Sequence, residues 1–168
     1  MSFFQKLFGK KETSAPTVKE RTVENIQVGD IVEYDLADYH VVGKLTYNDH
    51  GFEWTAYQLE GAKTIWLSME MDDELYVGIY EKQTEKLQEP LPKELTYEGV
   101  KYHLDESGTA HVKGEGRGAN VNNIQCRYFD YCDKDEENFL SVEIWGSEIE
   151  LSYGYPIEHY EIKIIAGS

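Results

Sequence analysis

The chain has 168 residues, of which 40% are hydrophobic and 29% charged, so it can bury a core of ordinary size. Its 32 acidic and 16 basic side chains give a formal net charge of −16. A field of that sign repels phosphate backbones, so we expect no nucleic-acid partner; it attracts cations and basic proteins. No stretch is apolar enough for a membrane span or a signal peptide.

Residues 1–23 differ from the rest of the chain and are predicted to form a short amphipathic helix and a linker. The helix carries apolar side chains at helical spacing beside lysines: Phe3, Phe4, Leu7, Phe8, Lys10 and Lys11. Through Arg21 this region has a net charge of +3, which leaves −19 for the remainder. A basic, aromatic face of this kind is typical of contact with an anionic membrane surface. The alternatives are that the Phe side chains pack on the protein body or that the segment is a frayed tail.

From Ile26 onward the hydrophobic period is two, which predicts β-strands. Five strands are expected in a first repeat over residues 26–80, with a turn at Asn48–Gly51 and an acidic corner at Asp72–Glu74. A polar connector at 81–94 follows, and a second repeat covers 95–165. Its last segment, His159–Ile165, alternates as a strand that would close a sheet edge.

Four short matches recur in the same order in the two repeats, which indicates an internal duplication. One match aligns Val32–Leu36 with Val100–Leu104, and another aligns Leu67–Glu70 with Leu140–Glu143. We therefore predict an all-β fold of two similar antiparallel meanders of about five strands each. The meanders would be related by a pseudo-two-fold axis, in a barrel or sandwich, and would share one apolar interior.

A Ser-x-Glu pair is the polar feature common to both repeats: Ser68 and Glu70, and Ser141 and Glu143. Because side chains alternate along a strand, the members of each pair share a face, opposite Leu67 and its neighbours. The two pairs could form a polar cleft that binds a ligand. The alternative is that each strand has one wet face and one dry face.

The remaining polar motifs predict no catalytic residue, metal site or cofactor. The five histidines lack zinc-ligand spacing, and Cys126 and Cys132 are expected to be reduced, structural thiols on one face of a strand. The glycine-rich stretch Lys113–Gly118 is interpreted as a flexible hairpin tip, since no Gly-Lys-Ser/Thr sequence or helix follows it. We therefore expect a non-enzyme. The many Tyr and Trp side chains would form cross-strand pairs or, alternatively, line a small-ligand cavity.

Several motifs together resemble the bacterial domain-of-unknown-function family 4178. They are the start MSFFQKLF, the segment Val28–Tyr34, the strand Trp54–Glu60 and the segment Ile65–Glu70. The resemblance covers about Ile26 to Ile165 and supplies no catalytic residue. It implies a bacterial cytoplasmic protein associated with envelope-stress genes of the phage-shock type and with polyamine-related enzymes.

Two functions follow as hypotheses. The first is a non-catalytic binding or adaptor module in the cytoplasm, peripheral to the membrane through its N-terminal segment and bound to a basic protein partner. The alternative is a small-ligand or polyamine-binding β protein, in which Glu70, Glu143 and nearby tyrosines line the binding cleft. The oligomeric state is left open by the sequence.

Overall fold

The structure is a computed structural model that describes residues 20–167. The N-terminal helix predicted from Phe3 to Lys11 lies outside these residues. Within them the regular structure is all β, apart from two short 3-10 turns at Arg117–Val121 and His159–Glu161. Eleven strands follow one another along the chain: β1 (Ile31–Tyr34), β2 (Ala37–Asp49), β3 (Phe52–Glu60), β4 (Thr64–Met71), β5 (Leu75–Gln83), β6 (Glu94–Tyr97), β7 (Val100–Gly116), β8 (Ile124–Cys132), β9 (Phe139–Trp145), β10 (Glu148–Ile157) and β11 (Ile162–Ile165).

Eight of the strands form a closed antiparallel barrel. Strands β2 to β5 pair in sequence order, as do β7 to β10. The pairs β5–β10 and β2–β7 join the two groups and close the cylinder. The short strands β1 and β6 pair with the N-terminal residues of the long strands β2 and β7, and β11 pairs with β1. The predicted all-β class is confirmed, and of the two expected architectures the fold is a barrel.

Each half of the chain runs through five strands, β1 to β5 and β6 to β10. Each half also opens with a hairpin whose two turn residues have positive φ, Asp35 and Leu36 in the first and Glu98 and Gly99 in the second. This geometry shows that the alignment of Val32–Leu36 with Val100–Leu104 was wrong. The first of those segments is β1 and its turn, whereas the second is the start of β7. By its place in the hairpin, Tyr34 corresponds to Tyr97, since each ends the strand before the turn.

Each of the long strands β2 and β7 contains a β-bulge, which reverses the side chains that point into the barrel and those that point out of it. The register shifts between Val41 and Gly43 in β2, and between Leu104 and Glu106 in β7. A residue inserted into an antiparallel pair turns all later side chains to the opposite face. As a result Val41 packs outside the barrel, whereas Leu45 and Tyr47 of the same strand face the interior cluster.

The largest apolar clusters lie on the outside of the barrel wall. One packs β1, β11 and the segment before β1 against the outer face of β3–β5, and it includes Ile26, Tyr57 and Leu67. The other packs β6 and the connector against the outer face of β8–β10, and it includes Tyr102 and Leu140. The prediction of a single apolar core shared by both halves was therefore wrong. A smaller interior cluster, which includes Leu45, Tyr47 and Tyr128, is the part that both halves share. The flanking segments cover the dry face of each strand, which leaves the wet face to line the barrel.

The glycine-rich stretch closes the barrel and is not a free hairpin tip. Gly114 and Gly116 belong to β7 and pair with Leu45 and Gly43 of β2. A Cβ atom on Gly114 would overlap the backbone oxygen of Gly118, so the 3-10 turn can fold back over the end of β7 only because Gly114 has no side chain. The glycines therefore permit a close approach of backbones at the barrel seam.

Candidate functional site

The barrel encloses a cavity of about 420 Å³. Its wall comes from the inward-facing side chains of all eight barrel strands, and the 3-10 turn after β7 lies across one end through Gly118, Asn120 and Val121. A volume of this size is within the usual range for small-molecule sites. The polar face of the strands therefore surrounds a space large enough for a metabolite.

All four residues of the predicted Ser-x-Glu pairs line this cavity. Ser68 and Glu70 project from β4, and Ser141 and Glu143 project from β9. Their neighbour Leu67 faces an outer cluster, as the alternation predicted. The structure therefore brings both pairs to one concave surface, although each also satisfies the simpler description of a strand with a wet face and a dry face.

Four further carboxylates join them, and the sequence analysis did not single these out. Among residues 20–167, six carboxylates line the cavity: Glu70, Glu106, Asp130, Glu143, Glu148 and Glu150. Of the four further carboxylates, Asp130 was the easiest to predict from the sequence, because it follows Cys126 and Tyr128 at a period of two. Glu106 was hidden by the bulge, which turns it inward and places it opposite Asp130 across the β7–β8 pair.

Asp130 lies at the centre of the acidic part of the wall. Burial, followed by the charges of Glu143, Glu106 and Glu70, raises the pKa of Asp130 to about 7, and a hydrogen bond from Ser141 opposes the shift. Burial also raises the pKa of Glu143 and of Glu70. Carboxylates in this state are destabilised as anions and are stabilised by any cation that enters beside them.

Aromatic rings form much of the remaining wall. Tyr47 stacks on Trp54 with ring centroids 5.1 Å apart, and Trp54 meets Tyr128 edge-on at 5.0 Å. Tyr47 also contacts Trp145 at 6.3 Å, and Trp66 lies farther along the same cavity. The three tryptophans of the chain, Trp54, Trp66 and Trp145, therefore all line the cavity.

Tyr80 is held flat against the wall by a glycine on the neighbouring strand. Gly154 is its partner in the β5–β10 pair, and a Cβ atom on Gly154 would overlap two carbons of the Tyr80 ring. The pKa of Tyr80 is raised by burial and then by the charges of Asp130, Glu70 and Glu143. The ring therefore lies among the carboxylates and against the backbone of β10, in space that a side chain at position 154 would fill.

In the described part of the chain, two basic side chains line the cavity, and both are paired with carboxylates. Lys82 lies 3.1 Å from Glu150 and 5.8 Å from the centre of the Trp66 ring. Arg117, in the 3-10 turn, forms an ion pair with Glu60. Within residues 20–167, ion pairs involve none of the carboxylates Glu70, Glu106, Asp130 and Glu143. The acidic part of the wall is therefore uncompensated there.

Both cysteines are free, buried and on β8. Cys126 faces the interior cluster, and its pKa is raised by burial and then by the charge of Glu143, so it is a thiol at neutral pH. Cys132 is also raised in pKa by burial and lies 3.4 Å from Nε2 of His103. Across the described part of the chain, His, Cys, Asp and Glu side chains form no group of three or more able to hold a metal ion.

The six residues predicted to touch a membrane surface, from Phe3 to Lys11, lie outside the described residues. Among residues 20–167 there is no helix that is long and apolar enough to cross a bilayer.

The family model described as "Domain of unknown function (DUF4178)" matches residues 27–159, which include the whole barrel up to the end of β10. No curated protein and no solved structure matches the chain significantly. The match covers far more than half of the chain and agrees with the resemblance found in its motifs. The chain belongs to the DUF4178 family.

Proposed function

We propose that the protein is a binding protein for a small organic ammonium ion, which it holds inside the barrel. One observation carries the proposal: in a cavity of about 420 Å³, carboxylates without an ion-pair partner among residues 20–167 lie beside aromatic rings. Aromatic faces attract ammonium groups, and desolvated carboxylates do so more strongly. The net charge of −16 would draw such a ligand toward the protein.

The aromatic walls favour an organic cation over a bare metal ion. Rings such as Trp54 and Trp66 contribute hydrophobic contact area, which an ammonium ion with carbon substituents uses and a hydrated metal ion does not. Linear polyamines and quaternary ammonium compounds both have the required chemistry. Ser68 and Ser141 could accept or donate hydrogen bonds to the polar parts of such a ligand.

Tryptophan fluorescence provides a direct test because all three tryptophans line the cavity. The full chain is titrated with choline, with spermidine, and with 3,3-dimethyl-1-butanol, which has the shape of choline without its charge. We expect a saturable change with at least one of the two cations in about 150 mM salt, and none with the neutral alcohol. Glu70→Gln and Glu143→Gln should each weaken binding roughly tenfold, since each removes a charge from the wall.

Glu85→Gln is the matched control, because Glu85 is exposed in the connector and does not line the cavity. It should bind like the wild type. The proposal is wrong if neither cation gives a saturable signal, if the neutral alcohol binds equally well, or if both cavity variants keep the wild-type affinity.

The adaptor hypothesis is a separate proposal, supported by the charge contrast between +3 through Arg21 and −19 in the remainder. In it a cytoplasmic protein touches the membrane surface through residues 1–11 and binds a basic protein partner. Flotation with anionic liposomes, with and without residues 1–11, tests the membrane contact. Equal flotation of both forms would contradict it.

We also propose that the two halves of the chain arose by duplication. The shared hairpin geometry at Asp35–Leu36 and Glu98–Gly99, and the Ser-x-Glu pairs on β4 and β9, support this origin. Superposition of β1–β5 on β6–β10 in an experimental structure would test it, and halves that fail to superpose would contradict it.

A further inference from the structure

The acidic part of the cavity wall places carboxylates against one another without a compensating cation. Asp130 on β8 is directly opposite Glu106 on β7, and like charges in that position repel. On its other side, Asp130 is opposite Ser141 on β9, where the next inward residue is Glu143. The geometry leaves Asp130 with carboxylates on both neighbouring strands.

The groups that face Asp130 from other elements add to this repulsion. Tyr128 lies on the same strand as Asp130. The other groups come from five further strands: Glu106 from β7, Ser141 and Glu143 from β9, Glu150 from β10, Tyr80 and Lys82 from β5, and Glu70 from β4. The one cation among them, Lys82, is 3.1 Å from Glu150 and acts on Glu143. Anionic Asp130 therefore lacks a direct positive partner among the described residues.

We propose that the barrel exchanges a proton for its ligand: Asp130 loses its proton to solvent when an ammonium ion lies beside it, and regains that proton when the ligand leaves. This inference rests on the ligand class proposed above and adds a mode of regulation to it. No bond other than the O–H of the carboxylic acid is broken, and the proton passes to the buffer. Above neutral pH the cavity retains its cation, and mild acidification releases it.

The pKa of about 7 for Asp130 sets the range in which this exchange operates. Below that pH, binding must displace a proton, so affinity falls by up to tenfold for each unit of pH. Choline is a suitable probe because its charge does not change with pH. Any pH dependence of its affinity therefore belongs to the protein.

The experiment has two arms, and the first needs no ligand. Carbon-13 NMR of the side-chain carboxyl groups in the full free chain should show one aspartate, absent in Asp130→Asn, that titrates near neutral pH. Titration of that signal at the ordinary value of about 4 would overturn the proposal.

In the second arm, choline affinity is measured at pH 8 and pH 6. We expect about tenfold weaker binding at pH 6 for the wild type. Asp130→Asn should bind weakly at both values, because its amide mimics the protonated acid. Asp135→Asn, the same change at an exposed position in the β8–β9 loop, should behave like the wild type.

The outcomes separate the two proposals. Choline binding that is equal at pH 8 and pH 6 would overturn the proton exchange and leave the ligand class intact, as would Asp130→Asn that keeps the wild-type pH dependence. Absence of binding by choline and spermidine would overturn the ligand class, while the NMR arm would still report whether Asp130 holds a proton at neutral pH.

Discussion

The two halves of the chain build corresponding strands but face the cavity with different chemistry. The first half contributes five aromatic rings, those of Tyr47, Phe52, Trp54, Trp66 and Tyr80. The second half contributes five carboxylates, those of Glu106, Asp130, Glu143, Glu148 and Glu150. In the opposite sense, the first half adds one carboxylate, Glu70, and the second adds two rings, Tyr128 and Trp145. Closure of the barrel brings the rings and the carboxylates into one cavity, where Trp54 is opposite Glu70 and Tyr80 lies among the carboxylates. Neither half provides this combination alone.

The outer and inner faces of the strands are under different constraints. The outer face of each half must bury apolar side chains against its own flanking segment, as Leu67 and Leu140 do. The inner faces pack on one another in the interior cluster around Leu45 and Tyr47 and otherwise line the cavity. Their side chains can therefore differ between the halves without loss of the fold.

The largest expected effect on stability concerns Asp130, one of the carboxylates that the second half contributes to the cavity. Because the pKa of Asp130 is raised to about 7, the folded chain binds this proton more tightly than the unfolded chain does. The stabilisation it gives is complete below about pH 4 and is lost as pH rises to about 7. Asp130→Asn should therefore raise the free energy of unfolding at pH 8, on the order of 1–3 kcal/mol, and leave it unchanged at pH 4.

Urea denaturation at the two pH values measures this effect, with Asp135→Asn as the surface control. If Asp130→Asn lowered stability at pH 8, the anionic carboxylate would stabilise the fold, which would contradict the prediction.

The second prediction concerns the seam where the aromatic and acidic halves meet, at the β5–β10 pair. Gly154→Ala places a methyl group against the Tyr80 ring and drives the ring into the cavity. We expect a loss of about 1–3 kcal/mol of stability, as for other overpacked sites. Choline binding should be lost in the same variant, because the ring would occupy the cavity.

Tyr80→Ala provides the control through a double-mutant cycle. In the background without the ring, Gly154→Ala should cost less than about 0.5 kcal/mol. An equal cost in both backgrounds would show that Gly154 is required for the backbone and does not seat the ring.

The smallest expected effect tests whether the two opening hairpins are equivalent. Gly99 has φ +76°, and Leu36, at the same place in the first hairpin, has φ +61° with its side chain 99% exposed. Leu36→Gly should stabilise the chain by about 0.5 kcal/mol, since it relieves a left-handed residue without loss of burial. Gly99→Ala should destabilise it by about 1 kcal/mol. Thermal unfolding measures both, and changes of the same sign in both variants would contradict the equivalence.

Much of the site could be read from alternation along individual strands. Ser68 and Glu70 share a face because the side-chain period of a strand is two, and so do Ser141 and Glu143. Alternation fails at Glu106, because the bulge before it reverses the faces of β7. It also failed for Lys113–Gly118, where glycines that signal a turn instead allow close packing at the barrel seam.

Local periodicity and turn residues were enough to predict the strand class, the five strands of the first half and the faces shared by the Ser-x-Glu pairs. They did not predict β6, which opens the second half. Only the tertiary structure decided which face lies inside. A period of two separates a polar face from an apolar face of a strand, but it does not determine which side of the sheet the flanking strands cover. Here β1, β6, β11 and the connector cover the dry face from outside, so the barrel closes around polar and aromatic side chains.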